Sequence, residues 1–333
     1  MLKNCDYGVG ILGVGHYIPS IEISNKTIEE NTGLSATSII EKTGIESRFI
    51  AGNNEPASEM SVRASQAALC MAKVLPEQLG QIICCSFSGD YVYPAMACKV
   101  QDCLGARNAG AFDVMANCTG FQVGLGVLSN QMFCDKDIEY GLAIGTAVQS
   151  PYITWNQPEI AMYFGDGAGA AVLGKVPPEY GILSSEIISN GRVFESVRLR
   201  GGGSSYPLRS ENIDIGLQYY EMDGLEVWKQ LIQHQPRVIR QALTKINMST
   251  QDVDFFIFHQ ANLRLIEYLM AKMKQPMSKT HVTVERFGNT ADASLAITLS
   301  DAVQKGKIKR DQIVVVSGVG AGFIFGATVL RWY

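Results

Sequence analysis

Cys118 stands where an apolar run, Phe112-Asp113-Val114-Met115-Ala116, gives way to a segment of helical spacing, Gln122 to Phe133. A strand that hands over to a helix leaves its last residue beside unpaired N–H groups and about half a positive charge. A thiolate is stabilised there, so the thiol pKa is expected to fall and the cysteine to become a nucleophile at neutral pH. The competing role is a small buried hydrophobe. His259 ends a second apolar run, Phe255-Phe256-Ile257-Phe258, and holds in the later part of the chain the place Cys118 holds in the earlier part. It is either a satisfied polar residue at a strand end or a donor and base. Asn289, in Phe287-Gly288-Asn289-Thr290, precedes another helical segment and is either a turn residue or an amide donor. Gly318-Val319-Gly320-Ala321-Gly322-Phe323 follows a strand-like run. Such a loop can aim backbone N–H groups at a developing oxyanion, or simply make a tight corner.

Two other motifs carry less chemistry. Gly8-Val9-Gly10-Ile11-Leu12-Gly13 matches the G-x-G-x-x-G pattern, but its glycines fall inside a predicted strand and Pro19 comes before any helix opens. The strand–turn–helix context of a dinucleotide site is missing, so none is expected. Phe164-Gly165-Asp166-Gly167-Ala168-Gly169-Ala170 reads as a tight turn, with Asp166 holding it together rather than reacting.

These residues need a scaffold, and short β-branched runs alternating with longer helical segments predict an α/β fold. Strands are expected at residues 9–14, 81–87, 111–115, 140–145 and 170–173, then at 181–189, 254–258, 281–283, 313–317 and 327–332. Helices are expected at 57–74, 94–104, 119–133, 226–246, 263–274 and 292–305. The order repeats, and Val176-Pro177-Pro178 interrupts both kinds of regular structure. We therefore expect two similar halves, residues 1–175 carrying the cysteine and 176–333 carrying the histidine and asparagine.

Bulk properties exclude several classes. At 333 residues, with 47% hydrophobic and 18% charged, the chain can bury a large core and is not disordered. A net charge of −4 gives no general attraction to nucleic acid or an anionic membrane, so neither is an expected partner. No run reaches the length of a membrane span, and no signal peptide is evident at residues 1–20. The eight cysteines (Cys5, Cys70, Cys84, Cys85, Cys98, Cys103, Cys118 and Cys134) show no Cys-x-x-Cys spacing. No metal site is expected, and a reducing cytoplasmic setting fits best.

Taken together, these segments resemble the β-ketoacyl-acyl-carrier-protein synthase III family of thiolase-fold condensing enzymes. The resemblance runs through Lys42-Thr43-Gly44-Ile45 with Arg48, the Cys118 segment, Phe164–Ala170 and Gly201-Gly202-Gly203. It continues through Met222-Asp223-Gly224, Glu226-Val227-Trp228-Lys229, His259–Arg264, Gly288-Asn289-Thr290 and Gly318–Trp332. It implies two βαβαβαββ halves in a five-layered α-β-α-β-α arrangement, and it implies a role for each matched residue. Cys118 would hold an acyl group as a thioester; His259 and Asn289 would donate to the thioester carbonyl of a malonyl-type extender. The backbone N–H groups of Cys118 and Ala321 would form an oxyanion hole. Arg264, Lys229 and Lys272 would dock an acidic acyl carrier protein, and Tyr93 would reach an acyl pocket across a homodimer interface. The resemblance implies no cofactor beyond the acyl thioesters of coenzyme A or of the carrier's phosphopantetheine.

Some positions depart from the family pattern. Ser38 and Pro158 stand where a tryptophan and an arginine clasp the coenzyme A adenine, and Lys42 stands where an arginine meets its phosphates. These changes point to a primer other than an ordinary short acyl-CoA, delivered on a carrier or of unusual structure. Tyr93 replaces a phenylalanine. Asp292 puts a charge where small residues are common, and a helix-capping role is expected for it.

Overall fold

The first apolar run extends to ten residues as strand β1 (Gly8–Tyr17) in the computed structural model, which describes residues 6–212 and 215–333. Cys5 lies outside the described residues. Strand β2 (Ile21–Ser24), helices α1 (Asn25–Thr32) and α2 (Ala36–Thr43), and strand β3 (Ser47–Ile50) form an excursion closed by β2–β3 pairing. Next come α3 (Ala57–Ala72), β4 (Leu79–Cys85), α4 (Met96–Leu104) and β5 (Gly110–Val114). Then follow α5 (Gly120–Cys134), β6 (Tyr140–Ala147), α6 (Pro158–Ala161) and β7 (Gly167–Val176). The later part opens with β8 (Gly181–Ser189), the short strands β9 (Val197–Leu199) and β10 (Tyr220–Met222), and the long helix α7 (Gly224–Thr244). It ends with β11 (Phe255–Phe258), α8 (Leu263–Lys272), α9 (Val284–Phe287), α10 (Ser294–Gln304), β12 (Ile313–Gly320) and β13 (Ile324–Arg331).

Two mixed sheets result, one in the order β1-β7-β6-β4-β5 and the other β11-β12-β13-β8. Apolar residues of both sheets meet α5 and α10 in one central core, including Phe121, Leu125, Leu128, Leu295 and Leu299. A second core packs α3 and α4 on the outer face of the first sheet, and a third packs α7 and α8 on the outer face of the second. Helix, sheet, helix, sheet and helix therefore stack in five layers. Strands buried on both faces read as continuous apolar runs, which is why Phe255–Phe258 and Ile313–Ser317 were legible as strands.

One expected strand does not form. Residues 281–283 make no ladder; the preceding Thr280 meets the second sheet through an isolated bridge to Phe256 and a 2.8 Å hydrogen bond from its Oγ1 to the Phe256 carbonyl. The Gln260 side chain takes the place of a neighbouring strand. Its Oε1 accepts from the N–H groups of Thr283 (2.9 Å) and Val284 (3.2 Å), and its Nε2 donates to the His281 carbonyl at 3.3 Å. Periodicity cannot show a side chain substituting for backbone pairing.

The glycines of the Gly8–Gly13 motif are packing devices. A Cβ on Gly13 would lie 2.4 Å from the Ala68 carbonyl oxygen, and one on Gly15 would lie 2.3 Å from that of Ala64. Helix α3 thus rests directly on β1, with no dinucleotide loop between them. Asp166 holds its turn as expected. Its Oδ1 accepts from the N–H groups of Gln149 (2.6 Å) and Ser150 (3.0 Å), and its Oδ2 from Ala51 N–H (2.8 Å) and Ser150 Oγ (2.6 Å).

Gly15→Ala should therefore force α3 off the sheet and cost about 1–3 kcal/mol, the usual range for overpacking. Gly203→Ala, where an added methyl meets nothing within 4 Å, should stay within about 0.5 kcal/mol of the parent. Denaturant unfolding of the two variants side by side measures the difference.

Candidate active site

Strand β5 delivers the chain to Ala116, and Asn117 then turns it sharply with a φ of 49°. Asparagine tolerates that left-handed conformation better than most residues. The turn is pinned from the second sheet, because Asn117 Nδ2 donates to the Ala321 carbonyl at 3.0 Å. Cys118 lies in the helical turn Asn117–Thr119 that runs straight into α5, so the expected strand-to-helix placement holds.

His259 directly follows β11, and its N–H donates to the Ser317 carbonyl of β12 at 3.0 Å. Asn289 follows α9 and is held by its backbone: its N–H donates to Tyr163 O at 2.8 Å, and its carbonyl accepts from Gly165 N–H at 3.0 Å and Gln149 Nε2 at 2.8 Å. Its side-chain Oδ1 accepts from Ala291 N–H at 2.9 Å. With the oxygen engaged, the amide nitrogen is left as the donor facing inward.

Cys118, His259 and Asn289, together with Gly320 and Ala321, line one pocket. Phe164, Val227, Trp228, Leu265 and Phe323 make most of its remaining wall apolar. Residues far apart in sequence and matched only by family position thus share one chamber.

Burial sets the electrostatics. It pushes the His259 pKa down to about 3, so the imidazole is neutral at pH 7, and Nδ1 has no hydrogen-bond partner. Cys118 corrects the expected depressed thiol. Burial pushes its pKa up, the charge of Asp292 adds to that, and a backbone N–H pulls only weakly the other way. The half-charge of the helix end is outweighed by desolvation of the thiolate among apolar walls.

Asp292 also corrects its expected role, because it caps no helix. Helix α10 begins at Ser294 without a side-chain cap, and neither carboxylate oxygen of Asp292 has a hydrogen-bond partner. The side chain is fully buried, and burial pushes its pKa up to about 7.

None of the three basic residues lines the chamber, and two of them neighbour lining residues in sequence. Arg264 lies between the lining residues Asn262 and Leu265; its guanidinium donates to Glu267 (3.0 Å) and to the carbonyl of Glu41 (3.0 Å). Lys229 follows the lining residue Trp228 and pairs with Glu226 at 3.6 Å. Lys272 ends α8, eight residues beyond Arg264 and about 12 Å along the helix. Tyr93 is 87% exposed and lies outside the chamber of its own chain. Ser38 is on α2 and Pro158 opens α6; neither lines the chamber.

Two buried polar residues near the site escaped the sequence reading. Tyr220 stacks on Phe164 at 4.9 Å between ring centroids, and its hydroxyl donates to Gln149 Oε1 at 3.3 Å. Gln149 in turn carries the Asn289 carbonyl. They lie on a loop and on the three-residue strand β10, where no periodic signal exists.

Known proteins resemble this chain in sequence and in fold. The family model for 3-oxoacyl-[acyl-carrier-protein] synthase III matches residues 112–191, and the model for its C-terminal part matches residues 243–332. β-Ketoacyl-[acyl-carrier-protein] synthase III of Syntrophomonas wolfei is 37% identical over 324 residues, covering 97% of each chain. The enzyme of the same name from Clostridioides difficile is 35% identical and covers 97% of this chain and 98% of its own. The crystal structure of 3-oxoacyl-[acyl-carrier-protein] synthase III from Aquifex aeolicus superposes with a TM-score of 0.89 at 31% identity, covering 98% of this chain and all of that one. With the sequence match running through both sheets and the fold superposing over the same length, this chain belongs to the 3-oxoacyl-[acyl-carrier-protein] synthase III family.

Proposed function

We propose that Cys118, His259 and Asn289 carry out the two half-reactions of this β-ketoacyl synthase III-type acyltransferase, a condensing enzyme of fatty acid biosynthesis. The observation that carries this assignment is their convergence, with Ala321, on one apolar chamber. In the first half-reaction the Cys118 sulfur attacks an acyl thioester; the new S–C bond forms, the donor's C–S bond breaks, and the donor leaves as a thiol with the cysteine's proton. N–H groups of Cys118 and Ala321 hold the oxyanion.

In the second half-reaction a malonyl-type thioester enters. The neutral His259 ring and the Asn289 amide donate to its carbonyl, so loss of carbon dioxide leaves an enolate on that oxygen rather than an unshielded carbanion. The enolate carbon attacks the acyl–Cys118 carbonyl, and the thiolate departs as the β-ketoacyl product forms. A carboxylate in place of Asn289 would repel the enolate. The polar groups that orient the extender are few and the walls apolar, which suits a chamber that must exclude water from the enolate.

Our reading of the partners follows the same surface. An acidic acyl carrier protein would meet Arg264, Lys229 and Lys272, and a second copy of this chain would cover the free edge of β5. Met115, just past that strand, is 71% exposed, and Val92 (98%) and Tyr93 (87%) are also exposed large apolar side chains. The same contact would carry Tyr93 into the partner's acyl pocket. A cytoplasmic setting would keep Cys118 reduced. No helix of the described residues is long and apolar enough to cross a membrane, and none of their His, Cys, Asp and Glu side chains group as a metal site. The primer reading stands on Ser38 and Pro158: without an aromatic–guanidinium clamp, an acyl carrier or an unusual acyl group is the donor.

Three outcomes test this reading. Intact-mass analysis should show an acyl adduct on the parent and none on Cys118→Ala, while His259→Ala and Asn289→Ala acylate but lose condensation about 100- to 1,000-fold each. Presented with acetyl-CoA and with matched acyl-carrier donors, Cys118 should be acylated more efficiently by the carrier-bound group; efficient acylation by micromolar acetyl-CoA alone defeats the primer assignment. Arg264→Glu should lower kcat/KM for a carrier-bound substrate about tenfold at low salt, with the gap closing at high salt. Its kcat/KM for a small pantetheine thioester should be unchanged.

A further inference from the structure

Asp292 is a buried carboxyl that the condensation chemistry does not use, and its turn packs against the turn that carries Cys118. It lies in the helical turn Ala291–Ala293, two residues past the end of the Gly288-Asn289-Thr290 motif's asparagine-bearing turn. Room has been made for it on two sides. A Cβ on Gly120, the first residue of α5, would lie 3.1 Å from Asp292 Oδ1 and 3.1 Å from Cys85 Cβ. A Cβ on Gly145 of β6 would lie 2.3 Å from the Asp292 carbonyl oxygen. The carboxyl is therefore wedged between the start of the cysteine helix and the first sheet, with no exposed surface and no hydrogen-bond partner for either oxygen.

The titratable groups that feel its charge come from three elements packed around it: Cys118 before α5, Cys85 at the end of β4, and Tyr220 on β10. All three are acids, so each would add negative charge to the same dry space. Backbone N–H groups of Asp292 itself and of Phe87 lie close enough to favour the carboxylate. No cation among the described residues pairs with it.

We propose that Asp292 is a positioning residue for the proton of Cys118: the two side chains together accommodate one negative charge at a time, so Cys118 ionises only while the Asp292 carboxyl is protonated. Like charges held together in low dielectric cannot both form readily, and such a pair titrates as a unit. This rests on the reading of Cys118 as the acyl-bearing nucleophile. Its consequence is a change of slope. Burial places the carboxyl's titration at about pH 7. Below that, the thiolate fraction rises with pH as for any thiol. Above it, the reactive form (thiolate with protonated carboxyl) has the same proton count as the dominant form (thiol with carboxylate), so its proportion stops rising. The enzyme trades nucleophile at alkaline pH for a reactivity that is level across the upper range.

The test is the pH profile of Cys118 reactivity from about pH 5.5 to 9, read as intact-mass acylation in a single turnover and as iodoacetamide alkylation of the Cys118 peptide. In the parent the rate should climb about tenfold per unit and then level off near pH 7. In Asp292→Ala and Asp292→Asn it should keep climbing, so the variant-to-parent ratio grows about tenfold for each unit above 7. Parallel profiles in all three proteins overturn the proposal. Alkylation decides this even where no acyl donor reacts, whereas a parent that alkylates but never acylates counts against the functional reading alone.

Melting provides a second readout that a purely steric role would not move. A carboxyl whose pKa is higher folded than unfolded loses stability as pH rises from about 4 to about 7 and regains none above it. Asp292→Ala should therefore melt above the parent at pH 8, with the gap narrowing toward pH 4. A gap that does not change with pH overturns the proposal.

Discussion

The site depends on direct backbone contact between the cysteine turn and the β12–β13 hairpin. A Cβ on Gly320 would lie 2.4 Å from the Ala116 carbonyl oxygen, and one on Gly326 would lie 1.7 Å from Gln122 Oε1. Gly318 faces Thr119 Oγ1 at 3.1 Å in the same way. Three glycines on two adjacent strands let the second sheet close on the N-terminus of α5. Gln122 then reaches across to Thr328 (2.8 Å) and Ser185 (3.1 Å), tying the central helix to that sheet by buried hydrogen bonds. Only with this separation does Ala321, at the end of the hairpin, come to the same chamber as Cys118. A bulkier residue at any of the three would part the nucleophile from its oxyanion donor before it disturbed either sheet.

Close approach of two sheets also takes the polar side chains at their junction out of solvent, and that burial governs their charge states. His259 is neutral, Asp292 is held near pH 7 and the Cys118 thiol is pushed up, all with burial as the leading cause. A neutral imidazole suits the work assigned to it, since it must donate to a carbonyl without leaving a cation when carbon dioxide departs. The thiol has the opposite need. Its ionisation is disfavoured by burial, and on the proposed mechanism an incoming thioester supplies a developing oxyanion that the backbone donors would hold. The same low dielectric that suppresses the resting thiolate strengthens those donors once charge develops on substrate.

Much of this was legible in the sequence because it lies at the ends of buried strands. Apolar runs terminate at Cys118 and His259, and the family pattern supplied Asn289 and Ala321. What was not legible depended on side chains replacing backbone or on neighbours distant in sequence. The segment 281–283 looked like a strand until Gln260 took its hydrogen bonds. Asp292 looked like a cap because it precedes a helix by two residues, yet its burial against Gly120 and Gly145 comes from parts of the chain about 150 residues away. The lowered thiol pKa expected from a helix end failed for a related reason: helix position is local, whereas desolvation is a property of the assembled chamber.

The chamber mouth shows the same competition between local and assembled effects. Arg264 is not a free charge waiting for an acidic partner, since Glu267 and the carbonyls of Ile40 and Glu41 already engage its guanidinium. Those bonds fix it against the end of α2, where Asn262 Nδ2 also donates to the Lys42 carbonyl at 3.2 Å. On the proposed docking role, a carrier's carboxylate would compete with Glu267 for an arginine that is already oriented. The net gain in affinity is smaller than an unpaired arginine would give, but little side-chain entropy is left to lose on docking. An oriented, half-satisfied arginine favours rapid exchange of one carrier for the next, which suits a surface that must admit two substrates in each catalytic cycle.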